Sequence, residues 1–380
     1  MQPMTGAPRD ALSDAEVEAL LQAEVIEVTA GLELLDVNDQ IIASEGDNGD
    51  ISDDLVGGSV SHNNFAEIHG ACRLTLRREI EWGHQRLRPY MTIAADGVEA
   101  RFNLGVYLPD TPDRTIDDSG ELEFEVEGYD KLVVLSTEVG ATYRVAAGTP
   151  VVSAMRTAIE AAGETRHLID GTSTAVLAQD MVWPIKDAPT WLRVVNDLAH
   201  YIGYVAVWAD WDGWLRSQPY VAPADRGTEW DYDADDSETI VGAVRRIEAD
   251  YFNAPNKWVG YVDDPLNGSP TEGDGMYTVV NESTGATSVV GRGGRVIPRT
   301  IALDAVDQTA LEAQVDEIVA IETPVDRKLH LTTGPNPLHA HADVVSYVDT
   351  NAGLDGAFVS EEWELPLDGS PMTHRLREVA

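Results

Sequence analysis

The chain has 380 residues and carries 66 Asp and Glu against 26 Lys and Arg, a formal net charge of −40 with a pI near 4.3. Such a balance excludes the basic footprint that grips a nucleic-acid backbone and disfavours an anionic membrane surface. Cys72 is the only cysteine, which excludes an internal disulfide and a zinc site of several thiolates.

Arginine outnumbers lysine 22 to 4, and acids are abundant, a composition that fits molar salt. There the Debye length is about 3 Å, so self-repulsion is screened and carboxylates serve as hydrated cover. Acidic chains are also often disordered, but 43% of the residues are hydrophobic and the acids are interleaved with them, so folded domains are expected. No apolar run reaches the ~20 residues of a membrane span. The opening MQPMTGAPRD has no charged start followed by an apolar stretch, and no secretory signal is expected.

Ser13 and Glu16 form a capping box before Val17, Leu20 and Leu21, which predicts a short helix in an N-terminal arm, 1–23. Val25 to Ile42 reads as strand turning around Asp36-Val37-Asn38-Asp39, and 44–54 as an exposed loop. From 57 to 140 the texture is β: Leu74 and Leu76 alternate with Arg73, Thr75 and Arg77, and Asp96-Gly97 marks a hairpin. Leu122, Phe124 and Val126 alternate with Glu121, Glu123, Glu125 and Glu127, placing four carboxylates on one face of one strand. That face is read as solvated sheet or as the wall of an aqueous channel.

Thr149-Pro150 opens a different texture, with Thr149 as N-cap and Pro150 at the first helical position. Val151 to Ala162 keeps a helical period. A second helix from Pro189 carries Trp191, Leu192, Val194, Val195, Leu198 and Ile202 as its apolar stripe. YVAVWADWDGWLRSQPY then reads as a hairpin turning at Asp212-Gly213. Further strands are expected at 240–244, 247–251, 258–262, 344–348 and 358–365, with one helix at 305–321 on Leu311, Val315, Ile318 and Val319. The predicted fold class is mainly β with an α/β insert: a first β domain at 24–148, a helix-helix-hairpin insert at 149–225, and a second β domain with one helix at 226–380.

Three groups of residues are candidates for chemistry. His339 and His341 would share one face of a strand and could hold a metal with Asp343 as third ligand; the alternative is an ordinary polar strand. Asp231, Asp233 and Asp235 have the alternate spacing of a calcium loop, but no glycine stands at its sixth position, and its twelfth is Gly242 rather than Glu. Trp208, Trp211 and Trp214 could form a receptor platform, although Trp208 alternates with Val205 and Val207 in a strand expected to pack inward. The strings Gly-x-Ser-x-Gly, His-Glu-x-x-His and GxxxxGK[ST] are absent, and Gly291-Arg292-Gly293-Gly294 lies in no clear βαβ unit. No catalytic residue and no cofactor is expected; high salt is required, and the sequence leaves structural cations open.

The segments GGSVSHNNFAEIHGACRLTLRREIEWGHQRLRPYM, FNLGVYL and FEVEGYDKLVVL resemble the minor tail proteins of long-tailed, siphovirus-like haloarchaeal and actinobacterial viruses. VVSAMRTAIEAAG, WLRVVNDLAHYIGYVAVWADWDGWLRSQPY and IVGAVRRIEADYFNAPNKWVGYV are similar to the insert of the same proteins. In domain order the chain also resembles the baseplate-hub family that includes phage late control protein D. The resemblance covers roughly residues 20 to 265 by motif and the remainder by element order. It implies a structural virion protein at the tail tip, assembled in the host cytoplasm as a homotrimer. Two β-barrel domains per chain, here 24–148 and 226–380, would then make a ring of six that adapts the tail tube to a threefold tip. It also implies contacts with the distal tail or tube ring, the tape measure, and tip or fibre proteins, and transient non-adhesive passage of viral DNA. Glu121 to Glu127 would suit such a conduit wall. The alternatives are a receptor-binding tail protein and, third, a tail-associated envelope hydrolase.

Overall fold

In a computed structural model the protein is described over residues 1–4, 11–80, 83–116, 120, 122–236, 241–249, 251–262, 270–303, 308–322 and 327–379. It divides into two compact units, Met1–Arg245 with His330–Leu376, and Arg246–Leu329 with Arg377–Ala380. The chain is mainly β, as its alternating patterns predict.

Helix α1, Asp14–Leu21, begins at Ser13, whose hydroxyl accepts from the Glu16 N–H while the Glu16 carboxylate accepts from the Ser13 N–H, and it buries Val17, Leu20 and Leu21. Eight strands follow: β1 Glu27–Leu35, β2 Leu55–Asn63, β3 Gly70–Leu76, β4 Arg86–Ala95, β5 Val98–Asn103, β6 Tyr107–Pro109, β7 Asp113–Ile116 and β8 Leu122–Asp130. The β4–β5 hairpin turns where predicted, with positive φ at both Asp96 and Gly97, the twist that suits a two-residue loop. In β8, Phe124 and Val126 point inward while Glu125 and Glu127 are exposed.

Helix α2 Leu132–Leu135 and strand β9 Tyr143–Val145 lead to the insert, which contains α3 Val151–Ala161, β10 His167–Ile169, β11 Met181–Trp183, α4 Trp191–Tyr201, β12 Trp208–Ala209 and β13 Leu215–Ser217. Pro150 proves to be the residue before α3 rather than its first helical residue, and no side chain caps that end. Thr190 caps α4 by accepting from the Arg193 N–H. The stripes of α3 and α4 meet in a core that contains Met155, Ile159, Val194, Val195 and Leu198. Strand β13 pairs antiparallel with β12 and parallel with β10.

Strand β14, Trp230–Asp233, ends the first stretch of the larger unit. The smaller unit holds β15 Arg246–Glu248, β16 Lys257–Tyr261, β17 Thr271–Glu272, β18 Gly275–Val280, β19 Pro298–Ala302 and α5 Gln308–Glu322. Four of these strands form a sheet in the order β17-β18-β16-β19, and Trp258, Leu311 and Val315 are the centre of its core. Strands β18 and β19 lie between the strand expected at 258–262 and the helix expected at 305–321, where the sequence pattern predicts none. The strand expected at 240–244 is reduced to a single bridge at Val241, with residue 240 outside the described residues.

The larger unit resumes with β20 Lys328–Thr333, β21 Val344–Asp349, β22 Leu354–Pro366 and β23 Met372–Glu378. Its main sheet runs β1-β4-β6-β8-β3-β2-β22-β23-β20. The β2–β22 pairing joins Ser59 to Pro366 and Asn63 to Glu362. Strand β2 thus pairs with β3 on one edge and β22 on the other, so the last strands of the chain share a sheet with the first β region.

Candidate functional site

Within the larger unit, the first β region, the insert hairpin and the last strands meet at a cluster of imidazoles. The β2–β3 hairpin sets His62 opposite Gly70, which brings His69 beside His62, their ring centres 5.6 Å apart. The loop between β20 and β21 delivers His341, whose ring stacks on His69 at 4.8 Å. His62 Nε2 is 3.2 Å from His341 Nδ1 and 3.0 Å from Asn64 Oδ1. Two indoles close the faces: Trp208 stacks on His341 at 5.3 Å and Trp363 on His62 at 5.7 Å. A small cavity of about 40 Å³ adjoins, lined among others by His62, Asp130, Trp211, His341 and Trp363, room for about one water molecule.

Burial sets the electrostatics of this junction. Desolvation, with the repulsion of His69, lowers His62 to about 4, and desolvation lowers His69 to about 4. His341 is held well below the ordinary range by burial and by the other two rings. All three are therefore neutral at pH 7, with one ring nitrogen of each available as an acceptor. The buried Asp130 carboxyl is pushed up to about 7 by desolvation, against the opposing pull of the Leu132 and Gly70 N–H groups.

The structure does not bring His339, His341 and Asp343 to one point, and the two histidines do not stand on a strand. They lie in the β20–β21 loop, where Ala342 has a positive φ. His339 turns the other way: Nδ1 is 3.1 Å from Asp343 Oδ2, and Nε2 is 2.7 Å from the Tyr232 hydroxyl. Burial alone would raise the Asp343 carboxyl, but the Met1 ammonium and His339 outweigh it and hold it below the usual carboxylate range.

The other sequence candidates each find partners within the chain. Asp231 accepts from the Ser346 hydroxyl, Asp233 from the Asp235 N–H and Asp235 from the Thr350 N–H, so they do not converge as a calcium loop would. Trp208 rests on His341, Arg216 lies over Trp211 and Arg166 over Trp214; all three indoles are partly buried. Glu121 lies outside the described residues. Glu127 pairs with Arg73 at 3.1 Å and Glu123 approaches Arg77 at 3.9 Å across the β3–β8 ladder, and Glu125 faces Asp113 of β7. The carboxylate face thus alternates with arginine along its β3 side. Arg73, Asp110, Asp113, Glu125 and Glu127 line an open depression there.

Sequence reading missed two features. His62 and His69 have no motif spacing, and only the hairpin register could have revealed their proximity. The second is a buried ion network: Lys131 lies 2.6 Å from Asp39 and 2.8 Å from Glu164. Arg86 lies 2.7 Å from Asp39, and Arg166 lies 3.4 Å from it. It ties the turn after β1 to the insert.

No protein-family model and no curated protein matches this sequence. Solved structures do match, two tail proteins among them. The tail protein from Neisseria meningitidis MC58 superposes at TM-score 0.62 with 14% identity, over 92% of this chain and 97% of that one. The 43 kDa tail protein of prophage MuSo2 from Shewanella oneidensis gives TM-score 0.59 and 13% identity, over 92% and 98%. A chain of the half-lidded Francisella PdpA-VgrG complex gives TM-score 0.57 at 8% identity; there 94% of this chain covers 58% of the larger one. At these identities the likeness is one of fold.

Proposed function

We propose that this protein is a structural virion component that forms a trimeric hub at the tail tip, adapts a sixfold tube to a threefold tip and lets the genome pass during infection. The observation that carries this reading is the fold likeness to two tail proteins along nearly the whole of all three chains. The likeness to a chain from the PdpA-VgrG complex supports partners among other tail components, which the sequence resemblance names as tube ring, tape measure and tip or fibre proteins. No helix among the described residues is long and apolar enough to cross a membrane. The role is structural rather than enzymatic.

In this reading the surface carboxylates have two uses. They keep the particle soluble in the molar salt of a halophilic host. On β8 they also make a poor phosphate-binding surface, because each arginine of the facing strand is matched by a glutamate, which leaves few free cations to release counterions and slow DNA. Immunogold labelling with antibodies to this chain tests the placement. The expected result is label confined to the tail end of virions; label on heads or along the tube would contradict it.

A further inference from the structure

We propose that His62, His69 and His341 bind one divalent transition metal ion of the zinc type, clasping the β2–β3 hairpin to the β20–β21 loop. Each imidazole offers a ring nitrogen, and the three nitrogens lie within 4.8 Å of one another. The His62–His341 pair stands at 3.2 Å, close to the roughly 3.4 Å between two ligands on a tetrahedral zinc with Zn–N near 2.0–2.1 Å. A ring nitrogen of His69 completes the set of three.

The polar inventory of the cluster also asks for a cation. His62 Nε2 stands 3.0 Å from Asn64 Oδ1 and 3.2 Å from His341 Nδ1, and a neutral ring has at most one proton there to share between these two neighbours. His69 Nδ1 is buried with no hydrogen-bond partner, a costly state for a polar atom. The Asn64 amide donates to the Ser360 carbonyl at 2.6 Å, which fixes its own oxygen toward His62 as a fourth ligand or a seat for bound water.

The ligand type sets the metal. Imidazole nitrogens suit zinc, copper and nickel, whereas magnesium and calcium take oxygen, so this group stands apart from the surface acids. Trp208 and Trp363 cover the ring faces. None of this depends on the tail-hub reading.

The test uses the full chain in molar salt, freed of metal by dialysis against chelator and titrated with Co²⁺. The expected result is one Co²⁺ per chain with the intense visible absorption of a low-coordinate imidazole site, displaced by Zn²⁺. His69→Ala and His341→Ala should each weaken binding at least ~100-fold, the upper end of what even outer-shell changes cost, while exposed His84→Ala leaves it unchanged. X-ray absorption of the zinc-loaded wild type keeps the test independent of whether the variants fold, because it reads imidazole nitrogens or an all-oxygen shell. Weak octahedral absorption that persists in both variants, or an all-oxygen shell, would overturn the proposal and assign the ions to surface carboxylates.

Discussion

The ammonium of Lys131 lies 2.6 Å from the carboxylate of Asp39, with both side chains wholly buried. The sequence has only four lysines, and one of them is buried here between Asp39 and Glu164, beside Arg86 and Arg166. Charges removed from water are held only by close partners, so this network fixes the insert to the first β region far more specifically than a surface pair would.

Removing one partner from such a network leaves buried charge uncompensated. Lys131→Met is expected to destabilise the larger unit by ~3–5 kcal/mol, whereas Arg73→Ala, which breaks an exposed pair with Glu127, should cost under ~1 kcal/mol. Denaturant unfolding of both variants in molar salt checks this. Equal losses would mean that the buried network is as weak as the surface.

Salt should matter through the net charge of −40. Lowering it from 1 M to 0.1 M extends the Debye length from about 3 Å to about 10 Å, and repulsion among the exposed carboxylates returns. The melting temperature is expected to fall; identical values at both concentrations would contradict the prediction.

Acid should destabilise the fold between about pH 6.5 and 4. His62 and His69 are held near 4 from an ordinary value of 6.5, so in this window the unfolded chain binds protons that the folded chain refuses, and stability declines as pH falls. Asp130, raised to about 7 from 3.8, acts in the opposite sense, because the folded form keeps a proton there that the unfolded form loses. His341 and His374 are lowered as well, so the imidazoles outweigh the one carboxyl. Guanidinium unfolding in molar salt should show a loss of a few kcal/mol from pH 7 to 4.5, and a flat or rising profile would contradict it.

Leu198 is wholly buried where α4 meets α3. Leu198→Ala is expected to cost ~2–5 kcal/mol, read by the same unfolding assay; a loss below ~0.5 kcal/mol, the ordinary scale of surface substitutions, would place that face in solvent.

Reversing Glu123, Glu125 and Glu127 to lysine tests the conduit wall. Virions should assemble in normal number but deliver genomes poorly, seen as a lower ratio of infectious units to particles. An unchanged ratio would put this face on the outside of the particle.

Local grammar was legible in this sequence because it depends on neighbours in the chain. The Ser13–Glu16 box, the Asp96-Gly97 turn, the α4 stripe and the alternation of β8 all rest on contacts within a few residues. The pairing of β2 with β22 was hidden, since it joins residues about three hundred positions apart, and with it the sharing of one sheet by both ends of the chain. His341 was singled out for its neighbour His339, yet the left-handed Ala342 and the loop around it send the two rings to different partners. Lys131 sits in an unremarkable EGYDK string. Its partners Asp39 and Glu164 lie 92 residues before it and in the insert, so only the fold shows what it does.

The central claim, that this chain builds a trimeric tail hub, is tested most directly by the mass of the purified assembly in molar salt, from light scattering after size exclusion. A stable particle of three chains is the predicted result. A monomer or an even-numbered assembly would contradict it.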